Sequence, residues 1–294
     1  MSRFLPAITW TIAALYVAVS LSWPTGFVPK SVSLPLSALL PMAFALFHGT
    51  RHYGWRDMLA FAVICLVVSN AFENLSIVSG FPFGHYHYSE KLGPKLFLVP
   101  LLIGPAYLGM GYLSWTLARL ILGGARPVAD RVLALPALAG FVMVSWDLTF
   151  DPVASTLARS WIWHDGGAYF GVPVSNFLGW YLTVYLFFQL FALYRSGSTA
   201  GAPRVVGPDA YAPGAWWPAL AMYAATALRP VMTLLFLPAG PVTVTDPAGV
   251  VWDVAALYGV VALAGIFTMG AFSLLALLRL VERASPAPGT TPQQ

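Results

Sequence analysis

Eight apolar stretches, each of about 20 residues, divide this sequence and constrain its fold more than any other feature. A helix of that length crosses the hydrocarbon core of a bilayer, where every backbone N–H and C=O must find its partner within the protein. The stretches cover residues 6–23, 32–49, 57–78, 97–122, 128–150, 174–194, 216–237 and 251–280. The sequence therefore predicts an all-α fold, a polytopic transmembrane bundle of about eight helices.

The composition supports a membrane protein built as one domain. The chain is 59% hydrophobic and 9% charged, whereas a soluble domain has about 25% charged residues to cover its surface. Residues 1–283 are predicted to form a single transmembrane domain, and the Pro- and Thr-rich residues 284–294 a disordered tail. The single cysteine, Cys65, lies in an apolar stretch and is expected to be a buried hydrophobe, so an intrachain disulfide is excluded.

The basic residues are unevenly divided between the two sides of such a bundle. Four fall on one side, Lys30, Lys91, Lys95 and Arg159, and ten on the side of the termini, Arg3, Arg51, Arg56, Arg119, Arg126, Arg131, Arg195, Arg204, Arg279 and Arg283. The positive-inside rule then places both termini in the cytoplasm and the bundle in the cell membrane. Single basic residues between apolar stretches are typical of topology determinants and do not indicate a nucleic-acid partner.

A first polar cluster, residues 73–95, begins inside the third apolar stretch. Glu73 lies about two turns before the end of that stretch, where an ionisable group is costly and indicates function. A structural ion pair with Arg229, inside the seventh stretch, is the alternative. Gly80, Pro82 and Gly84 then break the helix, and such backbone is tolerated at membrane depth only against protein or a water-filled cavity. Four polar aromatic residues follow the break: His85, Tyr86, His87 and Tyr88.

A second polar cluster, residues 146–180, contains two aspartates at helical spacing. Asp147 and Asp151 are four residues apart and share one face of a helix. Two carboxylates this close in a low dielectric do not both ionise easily, so one is expected to keep its proton and serve as a general acid. Alternatively, Asp151 only caps a helix that ends at Pro152. Because both clusters follow odd-numbered stretches, they are expected on the same side of the membrane.

Aromatic, amide and imidazole groups accompany these acids. The indoles of Trp161 and Trp163 fit an interfacial aromatic belt or, alternatively, a surface that stabilises a carbocation. Asn176 is a buried amide that could position water or bond across helices. His85 and His87 together with His164 could relay protons or hold a metal, although no known metal motif is present. The sequence also lacks a Walker loop, a GxGxxG fingerprint and a GxSxG elbow.

The motifs together resemble one family. The run GFPFGHYHYSEKLGPKLFLVPLL preceded by Glu73, with WDLTFDP, W-x-W and GVPVSNFLGW, is similar to integral-membrane carotenoid biosynthesis proteins of the bisanhydrobacterioruberin hydratase type, which include carotenoid 1,2-hydratases. The match covers residues 73–181. The chain has Ser76 where the family pattern has Gly and Tyr107 where it has Trp, and these departures bear on substrate fit more than on reaction type.

The resemblance implies hydration of the terminal C1,2 double bond of an acyclic ψ end group, with water as co-substrate and no organic cofactor. A carotenoid such as lycopene or γ-carotene, dissolved in the lipid bilayer, would be the substrate and a tertiary alcohol the product. On this hypothesis Asp147 or Asp151 is the general acid, Glu73 holds the proton or the water, and the histidines are relays. The predicted substrate-binding residues are Tyr86, Tyr88, Trp146, Trp161, Trp163, Asn176 and Trp180.

Two other functions are compatible with parts of the sequence. Asp147 and Asp151 mimic half of the Asp-rich signature of membrane prenyltransferases, which hold Mg²⁺ on a diphosphate, but no second acidic motif occurs. A carotenoid-binding or transport protein without turnover would also need an apolar cavity, although the polar clusters lie in the middle of the chain rather than in corresponding halves. Asp246 and Asp253, on the same side as the clusters, are expected to be solvated loop residues.

Overall fold

The computed structural model describes residues 5–123, 131–198, 213–237 and 240–284, and helices dominate this part of the chain. The first four helices are α1 (Leu5–Ser22), α2 (Lys30–Tyr53), α3 (Trp55–Ser79) and α4 (Ile103–Ile121). The others are α5 (Ala134–Asp151), α6 (Val174–Ser198), α7 (Trp217–Leu235) and α8, which runs from Val254–Ala264 through a π-helical segment, Gly265–Gly270, into Ala271–Ala284. These eight helices confirm the all-α bundle, and seven of them are long and apolar enough to cross a membrane.

The remaining helix, α4, is the central one. Its residues Tyr107–Leu120 are buried without interruption, and α2, α3, α5, α7 and α8 pack around it. A helix enclosed by other helices needs no lipid-compatible surface, so it tolerates the Gly, Ser and Tyr residues that lower its hydropathy. The predicted start of this helix at residue 97 is wrong, because residues 95–100 form the hairpin β2 (Lys95–Leu96) and β3 (Val99–Pro100). The start predicted for the fifth helix, residue 128, lies outside the described residues.

Glycine at position 109 lets α4 approach α2 closely. A Cβ atom built at Gly109 would lie 2.5 Å from the Pro41 Cβ and 2.6 Å from the Met42 backbone nitrogen. Both atoms are held by the backbone of α2 and cannot move aside as a flexible side chain would. Small residues at such crossings allow the van der Waals contact that holds helices together in a membrane.

We expect Gly109→Ala to destabilise the protein by about 1–3 kcal/mol, because overpacking forces backbone shifts. Gly259→Ala is the matched control, since nothing lies within 4 Å of a Cβ built there. Stability can be measured in detergent from the labelling rate of the Cys65 thiol, which is 0% exposed in the folded protein, as predicted. Equal labelling rates for the two variants would show that the α2–α4 crossing tolerates a methyl group.

The connections that follow α3, α5 and α7 meet on one side of the bundle. After α3, strand β1 (Tyr86–Tyr88) pairs antiparallel with β4 (Trp161–Trp163), which follows α5, so that Tyr86 lies opposite Trp163 and Tyr88 opposite Trp161. This pairing confirms that the two polar clusters lie on the same face. A second hairpin, β5 (Thr243–Thr245) with β6 (Val251–Asp253), follows α7 and contacts the same region, where Arg159 donates a hydrogen bond to the Thr245 carbonyl.

The two aspartates of the β5–β6 hairpin have structural roles. Asp246 is 4% exposed, and it accepts hydrogen bonds from the Val250 backbone N–H at 2.9 Å and the Trp252 indole N–H at 2.8 Å. The expectation of a solvated loop residue is therefore wrong for Asp246, because the carboxylate closes the β5–β6 turn. Asp253 caps the N-terminus of α8 by accepting from the Ala256 N–H at 2.6 Å.

Charged residues also pair at the opposite end of the bundle. There Arg195 forms an ion pair with the buried Asp57, and Arg119 donates a hydrogen bond to the Tyr53 hydroxyl at 2.5 Å. The molecule is a multi-pass membrane protein, and its orientation in the membrane stays a prediction. Three of the basic residues that predict this orientation lie outside the described residues: Arg3, Arg126 and Arg204. Residues 285–294, nearly all of the predicted C-terminal tail, also lie outside them.

Candidate active site

Glu73 is buried in α3 and accepts hydrogen bonds from three phenols. The Tyr86 and Tyr88 hydroxyls donate to its Oε2, the latter at 2.9 Å, and the Tyr107 hydroxyl donates to its Oε1 at 2.7 Å. The alternative of a structural ion pair with Arg229 is not what the structure shows, because the Arg229 guanidinium lies over the ring of Trp23, 4.8 Å from its centroid. Glu73 is thus a carboxyl group held by neutral donors.

The short strand β1 aims two of these phenols at Glu73. Successive side chains of a strand point to opposite faces, so Tyr86 and Tyr88 are buried while His87 between them is exposed. Burial, and next the nearby charge of Glu73, raise the pKa of both tyrosines well above the ordinary value. The two phenols therefore keep their protons at neutral pH and remain donors to Glu73.

Asp147 and Asp151 lie on one face of α5, as their spacing predicted, and each is 1% exposed. One amide group joins them: Asn176 Nδ2 donates to Asp147 Oδ2 at 3.0 Å and to Asp151 Oδ2 at 2.5 Å. The other oxygen of Asp151 accepts from the indole N–H groups of Trp161, at 2.8 Å, and Trp163, at 3.4 Å. Asn176 bonds across helices, one of its two predicted roles.

The alternative role of Asp151 as a helix cap is wrong, because the helix does not end there. It continues from α5 as a π-helical segment, Pro152–Leu157. Proline has no N–H to donate to the carbonyl four residues earlier, and the Tyr169 hydroxyl supplies that hydrogen bond to the Leu148 carbonyl at 3.1 Å. π-Helical segments occur frequently at functional sites, and this one follows directly on the acid pair.

Aromatic rings connect Glu73 to the aspartates. Across the β1–β4 ladder, the rings of Tyr86 and Trp163 lie 4.8 Å apart, and those of Tyr88 and Trp161 lie 5.9 Å apart in an edge-to-face arrangement. The phenols that bind Glu73 therefore contact the indoles that bind Asp151. The two clusters, distant in sequence, form one continuous hydrogen-bonded and aromatic array.

A cavity of about 240 Å³ lies inside this array. Glu73, Asp147 and Asp151 all line it. The structure also brings all seven predicted substrate-binding residues to its wall: Tyr86, Tyr88, Trp146, Trp161, Trp163, Asn176 and Trp180. Tyr107 stacks on Trp180 with centroids 4.6 Å apart and planes 8° apart, and Trp146 meets Trp180 edge to face at 5.9 Å. The acids thus face a space whose wall carries many aromatic rings.

The three predicted histidine relays lie outside the cavity. His85 is exposed, with its Nδ1 3.2 Å from the exposed carboxylate of Asp165. The Nδ1 atom of His87 lies 2.7 Å from the Nε2 atom of His164. Burial, followed by nearby His164 and Lys95, lowers the pKa of His87. Within the part of the chain that the structure describes, no three His, Cys, Asp or Glu side chains are placed to hold a metal ion.

Two residues that contribute to this site were not predicted from the sequence. Tyr107, noted only as a departure from the family pattern, donates directly to Glu73; tryptophan, the usual residue, also carries a donor at the edge of its ring. Ser76, the other departure, accepts from the Phe83 N–H at 3.1 Å and donates to the Gly84 carbonyl at 3.0 Å, which fixes the turn into β1. Tyrosine and tryptophan both carry a hydrogen-bond donor on the ring, and this shared property of position 107 could have identified it as a site residue.

Comparison with known proteins identifies the family of this chain. Residues 33–251 match the family described as carotenoid biosynthesis protein. A bisanhydrobacterioruberin hydratase from Haloarcula japonica is 31% identical over 128 residues, an alignment that covers 42% of this chain and 41% of that protein. No solved structure matches. Because the family match extends over most of the sequence, this chain belongs to the carotenoid biosynthesis protein family.

Proposed function

We propose that this protein hydrates the terminal C1,2 double bond of an acyclic ψ end group of a carotenoid and produces a tertiary alcohol. One observation carries the proposal: three buried carboxyl groups, Glu73, Asp147 and Asp151, line a single cavity with aromatic walls. Acid-catalysed hydration of an alkene needs a proton donor, an environment that tolerates a carbocation, and water. The name of the Haloarcula relative, a hydratase, supports the same reaction class.

We assign the general acid to Asp147. Asp151 accepts hydrogen bonds from Trp161, Trp163 and Asn176, whereas Asp147 accepts one, from Asn176. Hydrogen bonds donated to a carboxylate stabilise its anionic form, and two adjacent carboxylates share the proton that they keep. The proton of the pair therefore belongs on Asp147, the member with fewer donors, and Asp151 is its anionic neighbour.

The reaction has two steps, protonation of the alkene and addition of water. Asp147 transfers its proton to C2, the less substituted alkene carbon, and the π electrons form the new C–H bond. This leaves a tertiary cation at C1. The oxygen of a water molecule adds to C1, and the resulting oxonium returns one proton to the carboxylates. The acid is regenerated, and the net change is the addition of one water molecule without an oxidant or a reductant.

The aromatic walls suit the cationic intermediate. The π faces of Trp and Tyr attract a cation that lies over the ring, and the attraction strengthens when water is excluded. Trp146 and Trp180 lie beside Asp147 and Tyr107, close to where the cation would form. Glu73, held by three neutral phenols, can accept a hydrogen bond from the attacking water and direct its lone pair towards C1.

The substrate and cellular setting follow from the same features. A long apolar polyene such as lycopene or γ-carotene partitions into the bilayer, and the exposed apolar side chains of the helices support entry of such a substrate from lipid. Only one end of such a molecule needs to enter the cavity. The excess of basic residues on the side of the termini supports a location in the cell membrane with both termini in the cytoplasm.

The alternatives differ in product. A prenyltransferase would need carboxylate oxygens free for Mg²⁺, whereas three of the four oxygens of the aspartate pair accept hydrogen bonds from protein N–H groups. A binding or transport protein would retain pigment without changing its mass. The hydratase proposal alone requires a product that is heavier by one water molecule.

The test is expression in cells that accumulate lycopene or γ-carotene, followed by mass spectrometry of the extracted pigments. We expect a product that gains one water molecule, with its oxygen labelled when the cells grow in H₂¹⁸O and with deuterium at C2 when they grow in D₂O. A prenylated product would favour the transferase, and unchanged pigment that co-purifies with the protein would favour binding alone.

The positions of the histidines lead to a separate prediction. Because His85, His87 and His164 are exposed on the outer face of the β1–β4 ladder, we expect the triple alanine variant to form product within about twofold of the wild-type rate. The rate of pigment conversion at matched protein levels is the measurement. A loss of tenfold or more would restore the role of these residues as proton relays.

A further inference from the structure

A second group of polar residues lines the same cavity as the acids. Arg229 in α7 is its centre, with Trp23 against the guanidinium at 4.8 Å, Lys30 at the start of α2, and Tyr16 and Tyr258 nearby. Arg229 makes no hydrogen bond or ion pair with the three acids of the proposed active site, whose partners are described above. The hydration mechanism uses none of these residues.

The Arg229 guanidinium carries an N–H group that no hydrogen-bond acceptor in the described part of the chain satisfies. Its Nη1 atom is buried, and it has no hydrogen-bond partner among the described residues. The nearby Tyr16 hydroxyl is already engaged with the Thr226 hydroxyl at 2.8 Å. An arginine cannot lose its charge in a protein, and a buried charge without a partner is costly. A ligand that enters the cavity is therefore expected to supply the missing acceptor.

The geometry favours an anionic acceptor over a neutral one. One face of the guanidinium lies against Trp23, and the N–H donors of any guanidinium lie in its plane, along its edge. That edge matches two oxygens of a carboxylate or phosphate. Lys30 adds a second positive charge to the same wall. A neutral hydroxyl would accept a hydrogen bond and leave both charges uncompensated.

The rest of the wall requires the anion to carry an apolar chain. Leu34, Ala38, Ile103 and Ala106 also line the cavity. We infer that the cavity contains a subsite for the anionic head group of a membrane amphiphile, a fatty acid or a phospholipid, with Arg229 as its principal ligand. The acyl chain occupies the apolar space that, if the proposed hydratase function holds, the carotenoid end group uses, so the amphiphile competes with substrate.

The test compares three probes on the purified full-length chain in neutral detergent, without carotenoid. They are oleate, the neutral isostere oleyl alcohol, and oleoyl lysophosphatidic acid, at a pH where both acids are ionised. We expect the anionic probes to bind at least about tenfold more tightly than the alcohol, the ratio typical of one charge-assisted hydrogen bond. The tighter of the two anions identifies a fatty acid or a lipid phosphate as the source. Equal affinity for oleate and oleyl alcohol overturns the inference.

Variants locate the subsite. Arg229→Met should abolish the preference for oleate over oleyl alcohol, and Arg229→Lys should retain part of it, because lysine keeps the charge but not the planar fork. The matched control is Arg279→Met, since Arg279 is exposed and pairs with Glu282. A preference that survives in Arg229→Met overturns the assignment. If that variant does not fold, the comparison of oleate with oleyl alcohol on the wild-type protein still tests the subsite. Because no turnover is measured, a failure of the hydratase proposal leaves this result unaffected.

Discussion

Asp147→Asn is expected to lower the rate of carotenoid hydration at least about 100-fold, the usual minimum contribution of a general acid. The amide preserves the size of the side chain, and the neighbouring Asn176 still finds an oxygen at that position. It cannot donate a proton that the alkene accepts, so the tertiary cation does not form. Pigment conversion at matched protein levels in lycopene-accumulating cells is the measurement.

Two further variants test the assignment of the general acid. Asp151→Asn should also reduce the rate, because it removes the anionic neighbour and places an amide against the indole N–H donors of Trp161 and Trp163. Asp165→Asn is the control, since that carboxylate is exposed and contacts only His85 among the candidate residues. If both buried aspartate variants formed product at the wild-type rate, the acid assignment would be wrong.

Glu73→Ala is expected to lower the free energy of unfolding by about 3 kcal/mol or more as well as to impair hydration. Three phenol hydroxyls donate to this carboxyl group, and its removal leaves three buried donors without an acceptor. Each unsatisfied buried donor costs about 1–3 kcal/mol. Glu73→Gln should lose less, because the amide oxygen can still accept from part of the tyrosine cluster.

The measurement of stability is again the labelling rate of Cys65 in detergent, with the matched control Glu90→Ala. Glu90 is exposed and pairs only with Lys95, so its replacement should change the free energy of unfolding by less than about 0.5 kcal/mol. If the Glu73→Ala and Glu90→Ala variants had the same free energy of unfolding, the three phenols would have found other acceptors. Their role in ordering the site would then have to be abandoned.

The pairing of the aspartates could be predicted because it depends on local geometry. Residues four apart lie on one face of any α-helix, so Asp147 and Asp151 had to be adjacent once the helix was recognised. The shared side of the two polar clusters was equally predictable, since a chain that crosses a bilayer alternates sides. Both predictions require no knowledge of which helix packs against which.

The direction of the histidines could not be predicted in this way. His85 and His87 alternate with Tyr86 and Tyr88, and either pair could have faced the cavity. The pairing of β1 with β4 determines that the tyrosines face the cavity, because it places Trp161 and Trp163 against them. A one-residue shift in register would have exchanged the two faces.

Hydropathy determined the helices of this protein, because a bilayer leaves the backbone few other ways to satisfy its hydrogen bonds. Packing decided the rest: that α4 is enclosed at the centre, that Tyr107 reaches Glu73, and that Arg229 faces the cavity without a carboxylate. Each of these contacts joins residues on different helices. Their distances depend on how side chains interlock across helix crossings, which no pattern along a single segment specifies.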